Sequence, residues 1–193
     1  ANVFLRLQDQ GANNISLVTA THFLPWIIPA LDLVKDRLNI PVVYNCGGYE
    51  RTETIEALKD YVDIWLPDLK YESSELSARY SQAPFYFQAA AKAIAQMIRQ
   101  TGNPHLKKIP GEAAPVMDRG VIIRHLVLPG SKDDSIRLMH WIAEQLPKDS
   151  FYISLMSQYT PYEQNPQFPE LNRRITSYEY QKVVNTALDL GLT

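Results

Sequence analysis

Cysteine is almost absent from this chain, because Cys46 is the only one among 193 residues. A lone thiol excludes an intrachain disulfide, a CxxC redox pair and a multi-cysteine metal or iron–sulfur site built by this chain alone. The sequence therefore predicts no metal site within the chain. One cysteine in a chain of this size is typical of a reducing compartment, so a cytoplasmic location is expected.

An excess of charge of one sign is also lacking. Lys and Arg number 19 and Asp and Glu number 21, for a formal net charge of -2. This balance gives no electrostatic basis for binding nucleic acid or an anionic membrane surface. The longest apolar region, residues 23–34, is interrupted by Pro25, Pro29 and Asp32 and is too short to span a bilayer. We therefore expect neither nucleic acid nor membrane as a partner.

Short apolar segments alternate with longer amphipathic ones along the whole chain. The first kind predicts strands and the second predicts helices. The strands are predicted at residues 14–19, 41–45, 63–69, 120–128 and 151–157. Between the first two strands, Ile27, Leu31 and Val34 recur at helical spacing and predict a helix over 24–38. The remaining gaps predict further helices in the same way.

Strands that alternate with helices imply an α/β fold with a parallel sheet covered by helices. Five such units fit an open sheet or a partial TIM-like (β/α) barrel, because a complete eight-unit barrel needs about 250 residues. We treat residues 1–193 as one partial-barrel domain. Residues 102–119 interrupt the pattern with three prolines and two glycines, which predicts an irregular insertion, either a loop or a small hairpin.

Polar residues collect where the predicted strands end. The carboxyl ends of parallel strands meet at one edge of a sheet, where α/β proteins bind their ligands. Lys and Arg can hold a carboxylate there, Asp can hold a hydroxyl or an ammonium group, and Gly lets the backbone approach closely. The candidates are Thr19, Thr21, His22, Asn45, Cys46, Gly47, Gly48, Asp68, Lys70, Arg124, His125, Gln158 and Tyr159.

Alternation along a strand divides these candidates between two faces. Asp68 and Lys70 point to the same side, whereas Arg124 and His125 point to opposite sides. Each of these residues can also have a purely structural role instead of a role in ligand binding. Asp68 can form an ion pair with Lys70 or Arg124, and His125 can lie under a helix. His22 is an ordinary loop or core histidine on that interpretation, and Cys46 is a small buried apolar residue.

Five segments in series carry a resemblance to a known family. They read NISLVTATHF, VVYNCGGY, DIWLPDLKY, IIRHLVLPG and YISLMSQYTP. Over residues 11–161 the chain resembles radical S-adenosylmethionine proteins, and most closely the branch related to pyruvate formate-lyase activating enzymes. The resemblance implies a partial (β/α)6 barrel and a four-iron, four-sulfur cluster held by a CxxxCxxC loop after the first strand. It also implies reductive cleavage of S-adenosylmethionine to methionine and a 5'-deoxyadenosyl radical.

The partners that this resemblance implies are S-adenosylmethionine, an electron donor, and a glycyl radical enzyme or other protein substrate. Its cofactor-binding positions match by motif. Asp68 and Lys70 stand in an Asp-Leu-Lys motif, and Arg124 precedes an apolar segment that ends in Pro-Gly, where it would face the cofactor carboxylate. Gly48 matches the glycine of a Gly-aromatic pair, while Asn45 stands where relatives carry an acidic residue.

Two further matches imply contacts at other parts of the cofactor. Thr19 to His22 stand where relatives have a Gly-Gly-Glu segment against the methionine amino group, so backbone carbonyls and Thr21 would serve here. Gln158 or Tyr159 lies near a histidine that contacts adenosine. The expected cofactor-binding residues are Thr19, Thr21, His22, Asn45, Gly48, Asp68, Lys70, Arg124 and Gln158.

The CxxxCxxC motif does not occur in the sequence. We therefore expect the first βα unit to be missing and interpret the chain as a C-terminal portion of a longer radical enzyme. As given, it is expected to contain no catalytic residue, to assemble no cluster and to carry no bound cofactor. Two alternatives remain. One is a cluster-free barrel in which Lys70 forms a Schiff base in a lyase reaction, and the other is a non-catalytic binding scaffold.

Overall fold

The computed structural model describes residues 1–108 and 113–192. Six strands among these residues form one sheet. They are β1 (Ile15–Val18), β2 (Val42–Cys46), β3 (Ile64–Pro67), β4 (His105–Lys107), β5 (Val116–Leu126) and β6 (Tyr152–Met156). Five of them lie side by side in the order β1-β2-β3-β5-β6, and every neighbouring pair is parallel. The chain therefore has the predicted α/β architecture, a parallel sheet wound strand by strand in the manner of a partial TIM-like barrel.

Within the described ranges, seven α-helices accompany the sheet. They are α1 (Asn2–Asp9), α2 (Leu24–Asp32), α3 (Thr52–Ala57), α4 (Ser74–Ser81), α5 (Tyr86–Thr101), α6 (Lys132–Gln145) and α7 (Ser177–Asp189). Two short 3-10 helices, Ala20–Phe23 and Pro169–Leu171, follow β1 and β6. None of the helices in the described parts of the chain is both long enough and apolar enough to cross a membrane.

The two faces of the sheet differ in what covers them. On the helix-covered face, defined on β5 by Val121, Ile123 and His125, the side chains are almost fully buried. Helix α5 packs against β3 and β5 on this side, and α6 packs against α7. On the open face, side chains near the strand ends are half-buried or exposed. The open face is defined here by Ser16, Val18, Asn45, Leu66, Asp68, Ile122, Arg124, Leu126, Ser154 and Met156.

The helix predicted over 24–38 is shorter in the structure. Helix α2 ends at Asp32, and the chain continues to residue 37 in turns. Two of these turn hydrogen bonds, Val34 N to Leu31 O and Arg37 N to Val34 O, span three residues instead of four. Leu31 and Val34 stay buried because three-residue turns keep them on the same side. The apolar residues at helical spacing are therefore wholly or partly buried on one side although the helix is not continuous.

Helix α1 has no counterpart among the sequence predictions. None of its residues is fully buried, although its apolar residues collect on one side of the helix. Its attachment combines the packing of Phe4 against the core with long-range polar contacts of Gln8. The Gln8 side chain donates to Arg37 O and accepts from Asn39 N, which ties the helix to the turn before β2.

The segment 102–119 contains regular structure at both ends. His105–Lys107 pairs antiparallel with the beginning of β5, which starts at Val116 rather than at the predicted residue 120. The register shifts between His105 and Leu106. Residues 109–112 of the predicted insertion lie outside the described residues. The described flanks of this segment form a hairpin stem at the amino end of β5, away from the strand ends that carry the candidate residues.

Candidate ligand-binding site at the carboxyl ends of the strands

Three neighbouring strands bring Asn45, Asp68 and Arg124 together on the open face. Arg124 Nη2 donates to Asn45 Oδ1 at 2.7 Å and to Asp68 Oδ1 at 2.6 Å. The contacts follow from sheet register, because Asp68 forms a parallel bridge with Arg124 and Asn45 lies across from Leu66, two residues before Asp68. The predicted pairing of Arg124 with Asp68 is confirmed.

Lys70 joins this group from the loop after β3. Its Nζ lies 3.6 Å from Asp68 Oδ2, and 44% of its side chain is exposed. Asp68 and Lys70 thus point the same way, as strand alternation predicts. Two cations and one carboxylate leave the group with a formal charge of about +1, an environment that favours a small anion.

Arg124 retains unused hydrogen-bonding capacity. Its Nε is buried and has no hydrogen-bond partner within the described residues, although the side chain as a whole is 26% exposed. Guanidinium groups present five donors in a fixed plane, and both hydrogen bonds to Asn45 and Asp68 come from Nη2, so they do not use the donors of Nη1. The exposed part of the guanidinium can therefore donate to a ligand carboxylate on the open face.

The backbone between Asp68 and Lys70 is fixed by contacts of Leu69 with β5. Leu69 N donates to Arg124 O at 2.8 Å, and Leu69 O is 2.7 Å from His125 Nδ1. His125 Nε2 lies 2.8 Å from Ser135 Oγ on α6. Burial lowers the pKa of His125, so the ring is neutral and links the loop to the helix. The prediction that His125 lies under a helix is confirmed.

Gly48 allows the loop after β2 to approach the loop after β3. A Cβ at this position would stand 2.1 Å from Asp68 O, and the φ angle of +80° independently favours glycine. Cys46, two residues earlier, is buried on the helix-covered side, and burial raises the pKa of its thiol to about 12. The thiol is thus a core group here, as the structural alternative states.

Thr21 and His22 belong to a separate group, which also includes a residue that the sequence did not single out. Thr21 Oγ1 lies 2.8 Å from Tyr44 Oη and 3.0 Å from Glu50 Oε2. Tyr44 lies on the face opposite Asn45, so the Thr21 hydroxyl is turned away from Arg124. Burial raises the pKa of Glu50, while the hydrogen bond from Thr21 and the charge of His22 oppose this shift.

The remaining candidates lie apart from the Arg124 group. Thr19 contributes its backbone, since its N–H donates to Asn45 O at 2.9 Å and its φ is 50°. The Gln158 side chain contacts Met156 Sδ at 3.3 Å, and the Tyr159 hydroxyl donates to Leu171 O at 3.0 Å. The structure therefore brings together Asn45, Gly48, Asp68, Lys70 and Arg124, while their role in binding a cofactor stays a prediction.

Two residues that shape the site were missed. Glu50 follows directly after the Gly-Gly-Tyr turn, and an acid so close to a strand end was a usable signal. Tyr86 begins α5 and its hydroxyl reaches the loops after β2 and β3. Nothing local marks Tyr86, because its partners are 16 to 39 residues away in sequence.

The described residues contain no cluster of three or more His, Cys, Asp and Glu side chains that could hold a metal ion. A four-iron, four-sulfur cluster needs several thiolates, and the sequence provides only Cys46. The residues of this chain therefore do not fit an iron–sulfur cluster. They do fit a small ligand with a carboxylate, because Arg124 and Lys70 are available on the open face.

Comparison with known proteins gives a sequence relative and a structural neighbour, while no family model matches the chain. The chain is 32% identical over 150 residues to an uncharacterized protein of Methanocaldococcus jannaschii. The match includes 77% of this chain but spans only 38% of that protein's length. A domain of pyruvate-formate lyase-activating enzyme from Bacteroides vulgatus superimposes with a TM-score of 0.65 over 93% of this chain and 94% of that domain, at 15% identity. The two chains thus share a fold.

Proposed function

We propose that this chain binds the methionine end of S-adenosylmethionine and forms the ligand-binding part of a radical enzyme of the activase type. The observation that carries this proposal is the pair of partly exposed cations on the open face, Arg124 and Lys70, which share the single carboxylate of Asp68. The fold shared with a pyruvate-formate lyase-activating enzyme domain supports the same assignment. The five sequence segments that resemble this family include all three residues.

Each side chain has a defined task in this proposal. Lys70 and Arg124 neutralise the ligand carboxylate, and the arginine offers it the donors that Asn45 and Asp68 leave unused. Asp68 and Asn45 accept hydrogen bonds from the ligand ammonium group or ribose hydroxyls. The absent Cβ of Gly48 keeps the two loops close enough for these groups to act on one ligand.

Bound S-adenosylmethionine would supply a 5'-deoxyadenosyl group for hydrogen abstraction. That chemistry needs an electron from an iron–sulfur cluster, which the single cysteine of this chain cannot hold. We therefore assign only binding and orientation to the residues of this chain. The sequence predicted no bound cofactor for the chain as given, whereas the unused donors of Arg124 favour measurable binding of the free ligand.

The test is a titration of the chain with S-adenosylmethionine. Changes in the amide chemical shifts of the chain report binding and give Kd. Arg124→Met is compared with Arg6→Met, which removes the same charge from the exposed side of α1. Removing a charge-assisted hydrogen-bonding partner should raise Kd by about tenfold or more. The Arg6 variant should leave Kd unchanged within about twofold, since a distant exposed charge acts weakly. Absence of saturable binding to the unmodified chain, or equal effects of both substitutions, would overturn the proposal.

The radical chemistry has a separate test. A protein that joins this chain to a cluster-bearing segment, reconstituted anaerobically and reduced, is expected to release 5'-deoxyadenosine. Release would support the activase-type assignment. Binding without release would leave the ligand site standing and point to a non-catalytic scaffold.

Schiff-base chemistry at Lys70 is the second candidate, and the exposed amino group beside Asp68 favours it. Borohydride treatment in the presence of pyruvate, used as a small carbonyl probe, would trap such an adduct. An adduct on Lys70 that is lost in Lys70→Met would support this candidate. Labelling spread over several surface lysines, or none, would exclude it.

A further inference from the structure

Tyr86 places a hydroxyl group between the two loops that form the candidate site. It is the first residue of α5 and only 3% exposed. Its Oη lies 2.8 Å from Gly47 O, 2.7 Å from Asp68 O and 3.0 Å from Lys70 N. One phenol from a helix therefore contacts the backbone after β2 and the backbone after β3.

The hydrogen-bond count explains why a hydroxyl is needed there. Lys70 N–H donates to the phenol oxygen, and the single phenol hydrogen points between the carbonyl oxygens of Gly47 and Asp68. Without it, two carbonyls and one N–H would lose this partner at once. Gly48 lies in the same contact, since a Cβ there would stand 3.1 Å from Tyr86 Oη.

The aromatic ring of Tyr86 has a separate role in packing. It stacks on Tyr49 with ring centroids 6.0 Å apart and meets the edge of Tyr71 at 5.7 Å. Burial raises the pKa of Tyr86 above that of an ordinary phenol, so the hydroxyl stays protonated and can donate. A phenylalanine would preserve the ring contacts and remove only the hydroxyl.

We propose that Tyr86 is a positioning residue: its hydroxyl sets the backbone positions of Asp68 and Lys70 against the Gly47–Gly48 turn and thereby the alignment of their side chains with Arg124. This inference rests on the proposed function, because it assigns Tyr86 a role in the same ligand site. The inference goes beyond the proposed function because Tyr86 lies outside the five matching sequence segments and acts without touching the ligand.

The experiment compares Tyr86→Phe with Tyr71→Phe. Both remove one buried hydroxyl from the same aromatic group, but the Tyr71 hydroxyl contacts Ser81 Oγ at 3.0 Å instead of the site loops. In Tyr86→Phe, the Lys70 amide should exchange with solvent about tenfold faster, and the Kd for S-adenosylmethionine should rise about tenfold. In Tyr71→Phe, both quantities should stay within about twofold of the unmodified protein.

The two readouts separate the possible failures. An unchanged Lys70 amide exchange rate in Tyr86→Phe would overturn the positioning role whatever the ligand does. Faster exchange with an unchanged Kd would overturn the link between Tyr86 and the ligand. If the unmodified chain binds no S-adenosylmethionine, the proposed function fails on its own, and the exchange rates still decide whether Tyr86 holds the two loops.

Discussion

Arg124 and His125 are consecutive residues of β5, yet they belong to opposite kinds of environment. His125 lies on the helix-covered face, is 2% exposed, and has a partner for each ring nitrogen in Leu69 O and Ser135 Oγ. Arg124 lies on the open face, is partly exposed, and keeps a donor without a partner. Two neighbouring residues of β5 thus differ in their hydrogen bonding: both ring nitrogens of His125 have partners, whereas Arg124 keeps donors without one.

This difference indicates which residue stabilises the fold and which can serve a ligand. A buried polar group whose partners are all present is costly to remove, because its removal leaves those partners without a hydrogen bond. A partly exposed cation with unused donors contributes little to folding but can gain a new acceptor. The four predictions below test this division, and the first two concern the largest losses of stability.

His125→Ala should produce the largest loss. It removes a buried ring, leaves Leu69 O and Ser135 Oγ without a partner, and should lower the free energy of unfolding by about 4 kcal/mol. The matched neighbour, Arg124→Met, should cost about 1 kcal/mol, because Asp68 keeps Lys70 as a partner. Urea denaturation followed by circular dichroism measures both. Equal losses would show that Arg124 is as structural as His125.

Gly48→Ala should come next. The new Cβ would collide with Asp68 O in a backbone conformation that already disfavours side chains, so the expected loss is about 3 kcal/mol. Gly11→Ala is the control, because Gly11 has a similar φ of +87° but no atom within 4 Å of the added Cβ. The control should lose only about 1 kcal/mol, the cost of the conformation by itself. Thermal unfolding of both variants would separate collision from conformation, and a similar loss in both would remove the close approach of the two loops as a factor.

His125 should contribute part of the pH dependence of stability just below pH 6.5. Burial lowers its pKa in the folded protein below 6.5, the value of an ordinary histidine. Below pH 6.5 the unfolded chain binds a proton that the folded chain does not, so stability should fall as pH falls, by up to about 1.4 kcal/mol per pH unit. Above pH 6.5 this contribution is fully present. His125→Gln should remove that part of the slope between pH 6.5 and 5, and an unchanged slope would mean that His125 becomes protonated without unfolding.

The sequence was sufficient for the sheet and for part of the site. Alternation of apolar strands and helices predicted the order and the parallel pairing, because burial on the sheet requires that pattern. Strand period two also placed Asp68 with Lys70 and set Arg124 apart from His125. Helix α1 was not predicted although its apolar residues collect on one side, and the early end of α2 was not foreseen because apolar residues continue past Asp32 at the same spacing.

The rest of the site depends on long-range contacts that leave little trace in sequence. Tyr86 meets Gly47 across 39 residues and Asp68 across 18. The grouping of Thr21 with Glu50 likewise depends on how the turns after β1 and β2 fold back. Such contacts are decided by tertiary packing rather than by local pattern.

Lys70→Met should have the smallest effect on folding and therefore gives the sharpest test of the comparison. Its ion pair with Asp68 is 3.6 Å long and largely solvated, so stability should change by about 0.5 kcal/mol or less. The Kd for S-adenosylmethionine should nevertheless rise several-fold, because a cation facing the ligand carboxylate is lost. Calorimetric titration alongside urea denaturation measures the two quantities on one sample. A change in affinity without a change in stability is what a residue on the open face should show, and the opposite result would place Lys70 with His125 among the structural groups.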